Sequence, residues 1–412
     1  MSDRTILHCD CNGFYASVES ILRPELCQVP MAVCGDPESR HGIILAKNEL
    51  AKGYGIQTAE TIWQAKNKCP DLVLVPPHRE AYTKYSKLVN EIYQEYTDLV
   101  EPFGIDESWL DVSGTTHLFG SGVEIADTLR RRVREELGLT ISVGVSFCKV
   151  FAKLGSDYKK PDATTVFDRA AVPRLIWPMP VTNLLFVGKA SALTLRSLNI
   201  RTIGDLAHAD PVMLEKHMGK IGRQLYTYAA GLDDSPVASV YAEKEVKSVG
   251  NGMTFRRDLT GMEDIRLGVG VLADSVAGRM RRHGLLCNTV QVTIRDPGFR
   301  TICRQKKLEN PTHLASVLTE TAVELIAQHW DLREPIRMLT VTAQNLVSAE
   351  DAVEQMMLFD QPAREKRAKQ EKIETAMDAI RQRFGQGAIK PLAVLDNDLG
   401  IRDSGIIGEE DL

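Results

Sequence analysis

The sequence predicts a multidomain α/β (α+β) protein whose first domain is ferredoxin-like. Three observations predict this class. Over residues 1–165, strand-type and helix-type runs follow the order βαββαβ, which is the order of the split ferredoxin-like motif. A second α/β set of runs fills residues 247–347, and a helical stretch with glycine turns separates the two sets. At 412 residues, the chain is also too long for one typical domain.

The elements follow in order. Ile6–Cys11 is an apolar run of strand length that breaks at Asn12-Gly13, and Phe14–Leu22 follows with helical character. Residues 39–79 read as an insertion rich in Gly, Lys and short apolar runs, and a helix over 80–96 returns the chain to the sheet. Residues 100–105 and 109–112 read as a hairpin, 123–137 as a charged amphipathic helix and 140–146 as a strand. Residues 166–235 are helical and contain Gly188-Lys189, Gly204 and Gly219-Lys220-Ile221-Gly222. A glycine turn between short helices lets backbone N–H groups approach a phosphate closely. Asp233-Asp234-Ser235-Pro236 breaks the pattern, and 236–246 reads as a linker. The second α/β set has strands at 247–255, 289–294, 300–305 and 336–343, with helices at 265–283 and 312–329. After about 350, a charged helical run to Phe384 and an acidic end complete the chain.

Acidic residues stand where these strands end. Asp10 closes the first strand, and Asp106-Glu107 lie near the bend of the hairpin. Carboxylates at the ends of adjacent strands can share divalent cations, an arrangement suited to phosphoryl transfer. The eight cysteines are scattered without a recurring Cys-x-x-Cys pair, which argues for a reducing compartment and against a zinc site. No run approaches a membrane span, and the first residues leave no room for a signal peptide, so a cytoplasmic chain is expected. The net charge of −5 is unevenly spread: residues 241–307 carry 13 Lys/Arg against 7 Asp/Glu. Phosphate binding needs a basic face rather than a basic total.

Taken together, these motifs resemble the Y-family DNA polymerases, the translesion enzymes, most closely their bacterial polymerase IV branch. Asp10-Cys11-Asn12-Gly13-Phe14-Tyr15-Ala16-Ser17-Val18-Glu19 is similar to the family's first catalytic motif, and Ile105-Asp106-Glu107-Ser108-Trp109-Leu110-Asp111 to its second. Residues 143–153 followed by Lys159-Lys160-Pro161 resemble the third; the glycine-turn segment and Lys247-Ser248-Val249-Gly250 complete the order. The resemblance implies a palm at 1–165 with fingers inserted near 39–79, and a helix-hairpin-helix thumb at 166–235. It further implies a little finger at 247–347 and a tail at 348–412.

Residue by residue, the resemblance implies that Asp10, Asp106 and Glu107 are the catalytic acids and hold two Mg²⁺ ions, with the Cys11 carbonyl as a further ligand. It implies that Tyr15 is a steric gate against the ribose 2′-hydroxyl, and that Phe14, Lys52 and Lys160 contact the incoming dNTP. Gly188, Lys189, Gly204, Lys247, Arg256 and Arg257 become expected DNA contacts. Asn12 stands where many relatives have a second acid, and Glu49 lies in the segment where many have a phosphate-contacting Tyr. Gln355, Leu358 and Phe359 resemble a peptide that docks on the bacterial sliding clamp, its Gln making polar contacts while Leu and Phe fill a groove. The implied partners are primer-template DNA, dNTP and the clamp, with no membrane, for a monomer that associates with the nucleoid when on DNA. Two alternatives are a catalytically inactive polymerase-like scaffold recruited to the clamp and another two-metal enzyme such as a nucleotide cyclase. The acid triad argues against the first; the basic domain, thumb and clamp-like peptide argue against the second.

Overall fold

In chain order the first unit begins with β1 (Ile6–Cys11), α1 (Phe14–Leu22), β2 (Met31–Cys34), β3 (Ile44–Lys47), α2 (Glu49–Gly53), α3 (Ile62–Lys68), β4 (Val73–Val75) and α4 (Arg79–Gln94). It continues through β5 (Val100–Pro102), β6 (Glu107–Asp111), α5 (Thr116–Phe119), α6 (Gly122–Leu137), β7 (Ile141–Ser146), α7 (Lys149–Tyr158) and β8 (Thr164–Phe167). Four helices end it: α8 (Lys189–Ser197), α9 (Ile203–Ala207), α10 (Pro211–Met218) and α11 (Lys220–Ala229). This computed structural model describes residues 3–37, 42–242, 245–351, 361–390, 394 and 397–401. The chain divides into units Met1–Glu243 and Lys244–Leu412.

The main sheet has the order β5-β6-β1-β7-β8. Its first four strands pair antiparallel, the arrangement expected of the split motif, and β8 adds a parallel edge. Alternation along β1 sends Leu7, Cys9 and Cys11 into a core formed with Phe14 and Val18 of α1, Tyr82 and Val89 of α4, and Ile125 and Leu129 of α6. Ile6, His8 and Asp10 face the other way, toward α7. Helix α6 forms where its signals predict. Ser121 and Glu124 make a capping box, Gly138 ends the helix at φ 69°, and Ile125, Ala126, Leu129 and Val133 form its buried stripe.

The small sheet, ordered β3-β2-β4, begins at Met31, ahead of the predicted 39–79 insertion. Met31–Cys34 is buried throughout, and a continuous apolar run of four residues carries no alternation by which to recognise a strand. The segment expected to be a linker is anchored in its first half: Val237 is buried beside Ile6 and Trp109, and Ala238 N–H donates to Glu101.

The second unit is built on β9 (Ser248–Leu259), α12 (Gly261–Arg282), β10 (Leu285–Arg295), β11 (Thr301–Thr312), α13 (Ala315–His329) and β12 (Ile336–Ser348), in sheet order β11-β10-β12-β9. Val290, Val292, Ile294, Leu339 and Val341 point into a core with Leu272 and Val276 of α12 and Leu318 and Ile326 of α13. The predicted helix start at 312 is corrected to Ala315, because β11 runs on to Thr312, whose hydroxyl then accepts from Leu314 N–H.

Residues expected to form a tail belong to this unit. Helix α14 (Gln361–Phe384) docks through ion pairs, Arg281 to Glu374 at 2.5 Å and to Asp378 at 2.6 Å. Leu399 and Ile401 join the core, and the Leu399 carbonyl accepts from Arg256 N–H along the edge of β9. The peptide Gln355, Leu358, Phe359 lies outside the described residues, as does the acidic terminus.

Candidate active site

β1 and β6 pair so that Asp10 stands directly opposite Glu107, and His8 opposite Trp109. With a side-chain period of two, all four project from one face of the sheet. Helix α7 lies close on that face because β7 carries Gly144: a Cβ there would come within 1.9 Å of the Ala152 carbonyl oxygen. The close approach delivers Lys153 to the acids and Ser156 to His8. Lys153 Nζ stands 3.0 Å from Asp10 Oδ2 and 2.9 Å from Glu107 Oε2. Lys160, just beyond α7, stands 2.7 Å from Asp10 Oδ2, and both lysines also reach Asp157. His8 is fully buried, with Nδ1 2.8 Å from Ser156 Oγ and Nε2 3.2 Å from Glu107 Oε2.

The electrostatics describe a cluster with more negative charge than a dry site tolerates unaided. Burial, then the charges of Asp10 and Glu107, push Asp106 up to about 6. Burial also acts to raise Glu107, but His8 and Lys153 outweigh it and hold this carboxyl well below the ordinary range. Lys153 and Lys160 are raised against the effect of burial, by Asp10, Asp157 and, for Lys153, Glu107. Ligand atoms of His8, Asp10 and Glu107 lie within 4.8 Å of one another, so the predicted pair Asp10 and Glu107 is brought together. Asp106 feels both charges but stands outside that tightest group. A carboxylate set whose neutralisation falls to two ammonium groups fits hard divalent cations, which prefer oxygen ligands.

Asn12 has a structural role of its own. Its amide oxygen accepts from Asp162 N–H at 2.8 Å and its nitrogen donates to Ser142 Oγ at 2.9 Å. The amide thereby ties the loop that carries Lys160 to the end of β1, and a carboxylate could not supply the donor half. The Cys11 thiol points into the core, while its backbone N–H holds the Asp106 carbonyl at 3.0 Å.

Beyond the turn at Gly13, α1 carries Phe14 and Tyr15. The Phe14 ring is buried in the core, so its expected nucleotide contact is left to its backbone. The ring of Tyr15 is half-exposed and stacks on Tyr82 at 4.1 Å and 11°. Lys52 is half-exposed and pairs with Glu49 at 3.2 Å. Nearby Lys47 was not foreseen; burial first, then the charge of Lys52, lowers its pKa. Such crowding of cations favours an anionic ligand.

Among the expected DNA contacts, Gly188 and Lys189 are exposed at the start of α8, and Lys247 and Arg256 are exposed on the second unit. Two others have partners within the chain. Gly204 N–H donates to the Trp177 carbonyl, and a Cβ there would meet Trp177 at 2.9 Å, so this glycine serves close packing and its N–H is committed. Arg257 is held by Asp264 at 2.5 Å and Asp398 at 2.6 Å, which makes it a structural clamp on the returning C-terminal segment. His8 and Lys153 are the site residues that motif reading passed over. The signal for His8 was its place two residues before Asp10, on the same face of the strand.

The impB/mucB/samB family model matches residues 9–157, and the model for that family's C-terminal domain matches residues 246–358. The chain is 46% identical to DNA polymerase IV of Acetivibrio thermocellus over 97% of this chain and 99% of that one. The chain belongs to the Y-family DNA polymerases, in the polymerase IV branch. It is also 39% identical to DNA polymerase IV of Moorella thermoacetica, covering 94% of this chain and 95% of that one. With DNA polymerase IV 1 of Bacillus subtilis it shares 36% identity over 96% and 94%. Its fold is similar to that of a Y-family DNA polymerase chimera, with TM-score 0.75 and 22% identity over 84% of this chain and 99% of that one. Among the described residues, no helix is long and apolar enough to cross a membrane.

Proposed function

We propose that this polymerase adds deoxynucleotides to a primer 3′-hydroxyl by two-metal nucleotidyl transfer, copying past damaged template bases at low fidelity. The observation that carries this reading is the pairing of Asp10 with Glu107 across β1 and β6, bridged by Lys153 and with Asp106 alongside. Asp10, Asp106, Glu107 and the Cys11 carbonyl would hold the metals. Two Mg²⁺ ions, when bound, supply activation of the 3′-hydroxyl and neutralisation of the leaving pyrophosphate. Lys160 and Lys52, with Lys47 near Lys52, hold the triphosphate as point charges. Tyr15 closes the sugar side of the pocket against a 2′-hydroxyl. The basic stretch 241–307 grips duplex phosphates without reading sequence, helped by Gly188 and Lys189 at the start of α8. Gln355, Leu358 and Phe359 tether an otherwise monomeric, cytoplasmic enzyme to the sliding clamp, raising its local concentration at primer ends.

Primer extension with Mg²⁺ tests the reading. Asp106→Ala and Glu107→Ala should each lower extension by about a thousandfold or more while primer-template affinity persists. A variant that keeps a tenth of the wild-type rate would remove that acid from the catalytic set.

A further inference from the structure

The steric-gate reading of Tyr15 leaves open what holds the gate shut. An aromatic ring excludes a 2′-hydroxyl only if it cannot recede when the larger sugar presses on it. The Tyr15 ring lies flat on Tyr82, centroid to centroid at 4.1 Å, so Tyr82 forms the floor against which it would move. Tyr82 is itself held at both ends. Its ring is packed beside Phe14 in the core, and its hydroxyl donates to Glu19 Oε1 at 2.5 Å.

Glu19 lies one helical turn beyond Tyr15 on α1 and is fully buried. Three donors from separate places converge on its carboxylate. They are the Tyr82 hydroxyl, Nδ1 of His78, the residue preceding α4, at 2.8 Å, and Nη2 of Arg23, the residue following α1, at 3.2 Å. Joining two helices does not call for a buried carboxylate, since an apolar pair of similar volume does so at no desolvation cost. What the carboxylate adds is direction. It fixes the rotation and depth of the Tyr82 ring, and through the stack the depth of Tyr15.

We propose that Glu19 and Tyr82 are positioning residues for sugar discrimination: a hydrogen-bonded brace that keeps the Tyr15 ring from yielding to a ribonucleotide. The proposal rests on the reading of Tyr15 as the gate and adds to it the source of the gate's stiffness. Tyr82→Phe keeps the ring and the stack but releases the anchor. Glu19→Gln keeps the volume and an acceptor but weakens the bond.

The measured quantity is the ratio of kcat/KM for a deoxynucleotide to that for the matching ribonucleotide. Tyr82→Phe and Glu19→Gln should each lower this ratio about tenfold, less than Tyr15→Ala does. The double variant Tyr15→Ala/Tyr82→Phe should discriminate no worse than Tyr15→Ala alone, because the brace acts only through the gate. A purely structural role would lower both rates together and leave the ratio in place. Tyr82→Phe, which removes a single oxygen, keeps the test decisive should Glu19→Gln melt. If Tyr15→Ala relaxes discrimination while Tyr82→Phe and Glu19→Gln keep the wild-type ratio, the brace is refuted and the gate stands. A fully additive double variant likewise refutes the brace. An unchanged ratio in Tyr15→Ala overturns the gate and the brace with it.

Discussion

Asp10 and Glu107 in the first unit are neutralised by lysines, whereas Glu374, Asp378 and Asp274 in the second unit are neutralised by arginines. The two clusters are otherwise alike in being buried or half-buried and drawn from separate elements. Lysine presents a compact point charge on a flexible stem, so a divalent cation can displace it from a carboxylate. Arginine presents a planar fork, which fixes its partners in place. Arg281 donates from Nε to Asp378 and from Nη1 to both Glu374 and the His313 carbonyl, while Glu374 also accepts from Ala315 N–H. The choice of cation separates an exchangeable cluster from a permanent one.

The comparison is tested most severely by breaking each cluster once. Glu107→Ala, expected to abolish extension, relieves crowding around Asp10 and Asp106 but gives up the His8 and Lys153 contacts that hold Glu107 below the ordinary range, so its loss of stability should be small beside that of Arg281→Leu. Arg281→Leu should do the reverse. It strands two acids, one of them as buried as Glu374, and should cost about 3–5 kcal/mol of stability in urea unfolding. The rate of single-nucleotide addition at low temperature should change far less. If Arg281→Leu abolishes addition while remaining folded, the second cluster is not merely structural.

The same contrast explains what could be read from the sequence. Asp10, Asp106, Glu107 and Lys160 stand in short contiguous motifs, because strand ends and a single loop place them. The ferredoxin-like order was equally legible, since Ile6–Cys11 and the α6 stripe follow their periods closely. Docking of α14 was not, because Glu374, Asp378 and Arg381 look like solvated helix charges until their partners in α12, more than 90 residues away, are known. Gly204 is ambiguous for a related reason: a glycine required by the Trp177 backbone has the same one-residue signature as a glycine required by a phosphate. Lys153 was visible in its motif, but its role follows from how near Gly144 lets α7 approach, and that is a tertiary fact.

Glu19 offers an intermediate case, a buried acid held by one arginine, one histidine and one tyrosine. Burial acts to raise its pKa, but the Tyr82 hydroxyl, His78 and Arg23 outweigh burial and set it below its ordinary 4.5. A depressed folded-state pKa contributes stability that is present above the unfolded value and is lost as pH falls through the folded one. Stability should therefore decline as pH drops below about 4.5 in the wild type, and this acid limb should be shallower in Glu19→Gln. Urea midpoints measured from pH 6 down to pH 3 check it; parallel limbs would mean that Glu19 is not held as a charged group.

The smallest effect, and the most direct test of the cation rule, comes from exchanging the cation itself. Lys153→Arg keeps the positive charge beside Asp10 and Glu107 but replaces a displaceable ammonium with a fork able to hold both carboxylates. A divalent cation must then compete with a better-anchored partner, so the Mg²⁺ concentration for half-maximal extension should rise several-fold, with the rate at saturating Mg²⁺ closer to wild type. Arg281→Lys is the mirror exchange. An ammonium has three donors but no fixed geometry, so it cannot reproduce the planar grip on Glu374, Asp378 and the His313 carbonyl, and stability should fall by about 1–2 kcal/mol without any change in the Mg²⁺ requirement. Mg²⁺ titrations and urea unfolding on both variants decide the matter. If Lys153→Arg leaves the Mg²⁺ requirement unchanged, Lys153 does not compete with metal for Asp10 and Glu107, and the distinction between an exchangeable and a permanent cluster has to rest on something other than the cation.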